Sequence, residues 1–139
     1  MSALVDALFP LPAQRRTSLA ILGWWEARRP LYNAVVGVTG LISIGTLELL
    51  AWIPPGPGHF EVPWLGVLVY AALANCCYSL GWVLETGMQK LWGGDAPRVG
   101  PALFRQGLAF SVGLTLLPIL IGWIGWLGAA FNAVRGWFG

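Results

Sequence analysis

The chain has 139 residues, of which 57% are hydrophobic and 10% charged, with a mean hydropathy of +0.69. A soluble domain carries roughly 25% charged residues, so this composition excludes a water-facing globular domain and specifies a membrane protein. A mass of 15.0 kDa holds one domain with three, at most four, crossings of roughly 20 residues each, which excludes large transporters and two-domain enzymes, and the formal charge of +2 implies no nucleic-acid partner.

In chain order, Met1-Ser2-Ala3-Leu4-Val5-Asp6 lacks the basic n-region and cleavage site of a signal peptide, so the N-terminus is expected to be retained. Residues 13–29 contain a short apolar stretch, Leu19 to Trp25, between Arg15-Arg16 and Arg28-Arg29. That is too short to span a bilayer and predicts an interfacial helix packed on other helices. A first span is predicted over 32–53, stopped by Pro54-Pro55-Gly56-Pro57-Gly58. A second runs over 64–88 and ends before the breakers of Trp92-Gly93-Gly94-Asp95-Ala96-Pro97. The third, over 103–127, has Pro101 near its first turn and a predicted kink at Pro118. Its tryptophan-rich continuation, with Gly122, Gly125 and Gly128, either prolongs this one kinked span or leaves the core as a fourth, interfacial helix. The expected fold is therefore all-α, a single membrane domain over 1–139 with three transmembrane helices.

Basic residues fall on alternate connections. Arg15, Arg16, Arg28 and Arg29 precede the first span, Lys90, Arg98 and Arg105 separate the second from the third, and 54–63 has neither Lys nor Arg. The positive-inside rule places the N-terminus in the cytoplasm, with Trp24, Trp25 and Tyr32 anchoring one interface and Trp52 and Trp64 the other.

Polar residues inside spans are expensive and mark either function or helix contact. Asn75, Tyr78, Trp82 and Glu85 share one helical face, which reads as a ligand crevice or proton path, or as an interhelical hydrogen-bonding stripe. Counting down from Trp64, Glu85 falls about 30 Å away at the inner surface, level with Arg28, Arg29 and Arg105, and an ion pair with one of them is expected. Glu26 and Arg29, three apart, form a local pair. Glu48 lies near the outer interface on a face with Asn33, Gly37 and Ile44, and either binds a cation or proton or simply hydrogen-bonds there. Gly107, Ser111 and Thr115 recur every four residues, the spacing of a close-packing groove.

Catalytic templates fail. His59 is the single histidine, and with Glu61 makes at most a weak site. Adjacent Cys76 and Cys77 read as small buried apolar side chains. No Gly-x-Ser-x-Gly, His-Glu-x-x-His, phosphate-binding glycine loop or Cys-x-x-Cys occurs, so no catalytic residue, metal site or cofactor is expected.

Three strings, Trp24-Trp25-Glu26-Ala27-Arg28-Arg29-Pro30-Leu31-Tyr32-Asn33, Ala74-Asn75-Cys76-Cys77-Tyr78-Ser79-Leu80-Gly81-Trp82, and Gly100-Pro101-Ala102-Leu103-Phe104 with Phe110-Ser111 and Leu114-Thr115-Leu116-Leu117-Pro118, resemble a family of small bacterial multi-pass inner-membrane proteins. The resemblance covers most of the chain. It implies a bacterial inner-membrane location and attaches no activity to any residue. The expected function is non-enzymatic, acting by helix packing as a homo-oligomer or as an accessory subunit of a membrane complex, in contact with membrane lipid. The alternatives are a small oligomeric channel or carrier and a lipid- or quinone-binding protein, the latter needing a tail-shaped crevice between the second and third spans.

Overall fold

The computed structural model describes residues 17–92 and 99–137. These residues form four helices: α1 (Ser18–Glu26), α2 (Arg29–Trp52), α3 (Trp64–Trp92) and α4 (Gly100–Trp137). The protein is an all-helical membrane protein with three segments long and apolar enough to cross a bilayer: Ser18–Trp52, Trp64–Trp92 and Gly100–Trp137.

Thr17 caps α1, its hydroxyl accepting from the Ala20 amide at 3.3 Å. α1 ends because Pro30 offers no N–H to the Glu26 carbonyl and its ring would crowd that oxygen. The break is confined to Ala27 and Arg28, and both keep right-handed helical angles. α1 therefore runs on into α2 as one 35-residue apolar segment. The helix expected within 13–29 is thus present as α1, over Ser18–Glu26, and is continuous in course with the first span. Of that segment, residues 13–16, with Arg15 and Arg16, lie outside the described residues, as does Arg98.

α4 is a single helix of 38 residues, about 57 Å long at about 1.5 Å per residue. It passes unbroken through Pro118, so the tryptophan-rich segment is the second half of this helix and not a separate interfacial helix. A lone proline removes one backbone hydrogen bond, that to the Leu114 carbonyl, and an apolar environment favours keeping all the others. α3 likewise extends past the expected 88 to Trp92.

The most extensive helix–helix contact is between α2 and α4, while α3 is held by α1 and α4. Small residues permit the α2–α4 approach: a Cβ on Gly40 would stand 3.8 Å from the Thr115 methyl, and one on Gly122 only 2.4 Å from Leu47 Cδ2. Lipid gives no hydrophobic drive between helices, so such contacts supply van der Waals attraction in its place.

The helices are axially offset. Tyr32, twenty residues before Trp52, meets Ala74, only ten residues after Trp64. α3 thus starts about 15 Å short of the level where α2 ends, and the intervening loop folds back along α2. Glu48 fastens it, accepting from the Phe60 amide at 3.1 Å and the Trp52 indole at 2.8 Å, with His59 Nδ1 at 3.4 Å. The turn opening the loop contains a cis Pro54–Pro55 peptide and Gly58 at φ +90°. Gly56 and Gly58 donate to the Ile53 and Ala51 carbonyls, each at 2.8 Å. A Cβ on Gly56 would lie 2.4 Å from both the Leu50 and Ala51 carbonyl oxygens, backbone atoms that cannot move aside. Gly56→Ala is therefore expected to lower stability by about 1–3 kcal/mol, read as a lower midpoint of thermal unfolding in detergent micelles; an unchanged midpoint would contradict the close approach.

Candidate functional site: an aromatic junction and its crevice

The α1–α2 break leaves backbone carbonyls to be satisfied from outside the helix. The Trp24 carbonyl accepts from Arg28 Nη1 at 2.9 Å, and the same guanidinium lies 3.9 Å over the Trp24 ring. A cation here also suits the negative end of the α1 dipole. The Trp25 carbonyl accepts from the Tyr78 hydroxyl, reaching across from α3, and from the Arg28 amide at 3.0 Å.

Trp25 itself is 2% exposed and fills the space between α3 and α4. Its ring stands edge-on to Tyr78 at 5.3 Å and to Phe104 at 6.2 Å between centroids, and Tyr78 continues to Tyr32 at 4.6 Å. Such edge-to-face pairs add to plain burial. The Trp25 indole N–H donates to Glu85 Oε2 at 2.8 Å, and Glu85 is 5% exposed. Two glycines make room: a Cβ on Gly81 would sit 2.3 Å from Trp25 Cη2, and one on Gly100 2.5 Å from Glu85 Oε2.

Below this aromatic layer the hydroxyls are matched in chains. Tyr32 Oη is 2.8 Å from Ser111 Oγ and donates to the Ala74 carbonyl at 3.3 Å. Tyr70 Oη is 2.6 Å from Thr115 Oγ1, which in turn meets the Ser111 carbonyl at 2.6 Å. Ser111 and Thr115 are thus buried and consumed by contacts inside the chain. Gly107 is not: it is exposed, and nothing lies within 4 Å of where its Cβ would be. The three-residue groove expected from spacing is therefore split, because Tyr32 and Tyr70 occupy only its Ser111–Thr115 part.

Arg29 gathers a second, more exposed group. Its Nε and Nη2 meet the two Glu26 oxygens at 2.7 and 2.6 Å, a bidentate geometry. Its remaining bonds go to Asn75 Oδ1 at 3.3 Å and Ser79 Oγ at 3.0 Å, with the guanidinium 4.9 Å from the Tyr78 ring. The axial offset explains this choice of partners. It sets Arg29 opposite Asn75 and Ser79 and brings Trp25 opposite Gly81 and Glu85, so the indole donates to the Glu85 carboxylate, while Arg29 forms the expected local pair with Glu26. Arg105 is exposed on α4.

The other singled-out residues fall elsewhere. Glu48 serves the 53–63 loop at the opposite end of the bundle. Trp25 and Tyr32, expected as interface anchors, are core residues, and only the burial of their whole rings between helices distinguishes the two roles. Cys76 and Cys77, expected to be buried, are exposed on α3. Among the described residues, no three His, Cys, Asp or Glu side chains are grouped to hold a metal ion. Phe104, Gly81 and Gly100 were not legible as site residues. All three stand in the strings that carry the resemblance, and a further sequence signal is that Ile21 and Trp25, four apart, present a common face of α1 that some partner has to cover.

Against these aromatics, α3 and α4 part to form a half-open crevice of about 300 Å³, lined by Cys77, Leu80, Leu84, Leu103, Gly107 and Phe110, with the buried rings of Trp25, Tyr32 and Tyr78 as its floor and with Gln106 and Ser111 also in its lining. Compared with protein-family models, with curated proteins and with solved structures, the chain matches none.

Proposed function

We propose that this is a non-enzymatic membrane protein that holds a hydrocarbon chain of a membrane lipid in the crevice between α3 and α4. The observation that carries the reading is the crevice itself: apolar walls, a floor of aromatic rings, and the open space over Gly107. The floor hydroxyls are already bonded within the chain, Tyr32 to Ala74 and Ser111 and Tyr78 to Trp25, so the cavity offers van der Waals contact more than polar recognition. At about 300 Å³ it lies at the small end of the range for ligand pockets, roughly 300–1,000 Å³, which suits one slender chain. The location read for the protein is a bacterial inner membrane with the α1 end in the cytoplasm, supported by Arg28, Arg29, Lys90 and Arg105 on that side and by the absence of Lys and Arg from 54–63.

The helix-packing reading, as a homo-oligomer or accessory subunit, retains Gly107 as its small surface residue but loses Ser111 and Thr115 to the interior. The channel reading loses its polar stripe, since Asn75 and Tyr78 are bonded to Arg29 and Trp25 and Glu48 to the loop. One variant tests all three. Gly107→Leu adds a side chain where there is open space, so the fold is expected to keep its helix content and unfolding midpoint while the crevice fills. Copurifying lipid, counted by native mass spectrometry from mild detergent, is expected to fall at least several-fold. Undiminished lipid in the variant overturns the crevice reading; a change in assembly mass with lipid retained favours helix packing.

A further inference from the structure

We infer that the crevice takes the methyl-terminal arm of a cis-monounsaturated acyl chain, a short straight segment set off by a fixed bend, an inference that rests on the lipid-chain reading above. The observation behind it is that the crevice is shut at both ends. Toward the loop end of the bundle α3 and α4 are joined by the Tyr70 hydroxyl, which donates to the Ser111 carbonyl at 3.1 Å and lies 2.6 Å from Thr115 Oγ1. Tyr32 crosses the same gap, its hydroxyl reaching both the Ala74 carbonyl and Ser111 Oγ. Toward the other end the two helices meet at Glu85 and Gly100, where a Cβ on the glycine would stand 2.5 Å from the carboxylate. The rings of Trp25, Tyr32 and Tyr78 close the floor. Among the described residues, the side opposite these rings is the one left open.

The separation of the two closures limits what fits. The lining runs from Cys77 to Leu84 on α3 and from Leu103 to Ser111 on α4, which is about 10–12 Å of helix at about 1.5 Å per residue. An extended hydrocarbon advances about 1.3 Å per carbon, the projection of a carbon–carbon bond of about 1.5 Å, so about eight carbons fill the slot. A longer straight chain cannot lie in it, because Tyr70 and Tyr32 stand across its path at one end and Glu85 at the other. All three are held by hydrogen bonds within the protein. Such a chain has to turn out through the open side. A saturated chain makes that turn by freezing rotations that are free in lipid, whereas a cis double bond supplies it ready formed, and preformed geometry spares the ordering cost of binding. Lipid is as apolar as the slot, so burial alone gives no preference among chains. Shape decides.

The test offers the delipidated full-length protein, in detergent, equimolar pairs of phosphatidylcholines with 18-carbon chains and the same headgroup, one of each pair deuterated in that headgroup, and counts bound lipid by native mass spectrometry. Chains with a cis or a trans double bond at carbon 9 differ only in the bend. The cis-9 lipid is expected to exceed the trans-9 lipid by about two- to tenfold, the cost of fixing about one free rotation. It is expected to exceed by a similar factor a cis-6 lipid, whose arm of about eleven carbons reaches about 14 Å and overruns the slot. Gly107→Leu, which fills the slot, is expected to abolish both preferences. Equal binding of the cis-9 and trans-9 lipids by the wild-type protein overturns the inference, as does a cis preference indifferent to the position of the double bond or one that survives Gly107→Leu. The two proposals fail separately: lipid retained in full by Gly107→Leu removes the crevice reading, whereas lipid lost in Gly107→Leu with no wild-type preference between cis-9 and trans-9 leaves that reading standing and removes the bent arm.

Discussion

Trp25→Ala is expected to lower stability by about 3–5 kcal/mol, the range for truncating a buried aromatic. The ring is shared by three helices, touching Tyr78 and Gly81 of α3 and Phe104 of α4 from its place on α1. The vacated space would lie under the crevice floor, and the atoms around it would forfeit the close dispersion contacts that the rigid ring supplies. The substitution also removes a donor from the buried Glu85 carboxylate. Trp25→Phe separates the two effects. It keeps most of the ring and deletes only the indole N–H, for an expected loss of about 1–3 kcal/mol. Both variants are read as shifts of the unfolding midpoint by circular dichroism in micelles. A Trp25→Ala protein within about 1 kcal/mol of wild type, a difference too small for a full aromatic cavity, would show that α1 is not the wedge described above.

Gly81→Ala carries the second large effect, and its sign is informative. In an ordinary helix interior the change stabilises by about 1 kcal/mol, since alanine is the better helix former. Here the new methyl would stand 2.3, 2.6 and 2.9 Å from three atoms of the Trp25 ring. The ring cannot retreat easily, with Tyr78 and Phe104 against it and its indole tied to Glu85. Overpacking of this kind costs about 1–3 kcal/mol, so net destabilisation is expected, together with a lower α-helical melting midpoint. The pair should be strongly non-additive. Trp25→Phe shortens the ring on the side that meets residue 81, and the double variant Trp25→Phe/Gly81→Ala is expected to be more stable than the sum of the single changes. Strict additivity would place the methyl and the ring out of contact.

Much of the architecture follows from composition and punctuation. Three apolar runs, interrupted by Pro54-Pro55-Gly56 and by the glycine and proline content of 93–97, specify an all-helical chain with three segments able to span, because a bilayer demands only that each crossing be apolar and long enough and that its backbone bonds be closed within it. The break before α2 is legible at Pro30 for the same local reason. The pairing at Glu26 and Arg29 needs only helical spacing. What these rules do not contain is how far one helix slides along another. Trp52 and Trp64 look like partners at a common interface, and taking them so brings Glu85 level with Arg29. The chain instead folds residues 53–63 back along α2, where Glu48 receives Phe60 and Trp52, and this shifts α3 by about ten residues' worth of register relative to that alignment. The shift turns Trp25 and Tyr32 from anchors into core, sets the Trp25 indole beside Glu85, uses Ser111 and Thr115 internally, and leaves Gly107 and Gln106 on a crevice. Hydrophobicity is indifferent to such sliding, since an apolar helix remains equally soluble in lipid at every offset. Only steric fit among Gly81, Trp25, Gly100 and Phe104, and the pairing of buried hydrogen-bonding groups, selects one offset, and both depend on residues far apart in sequence meeting in three dimensions.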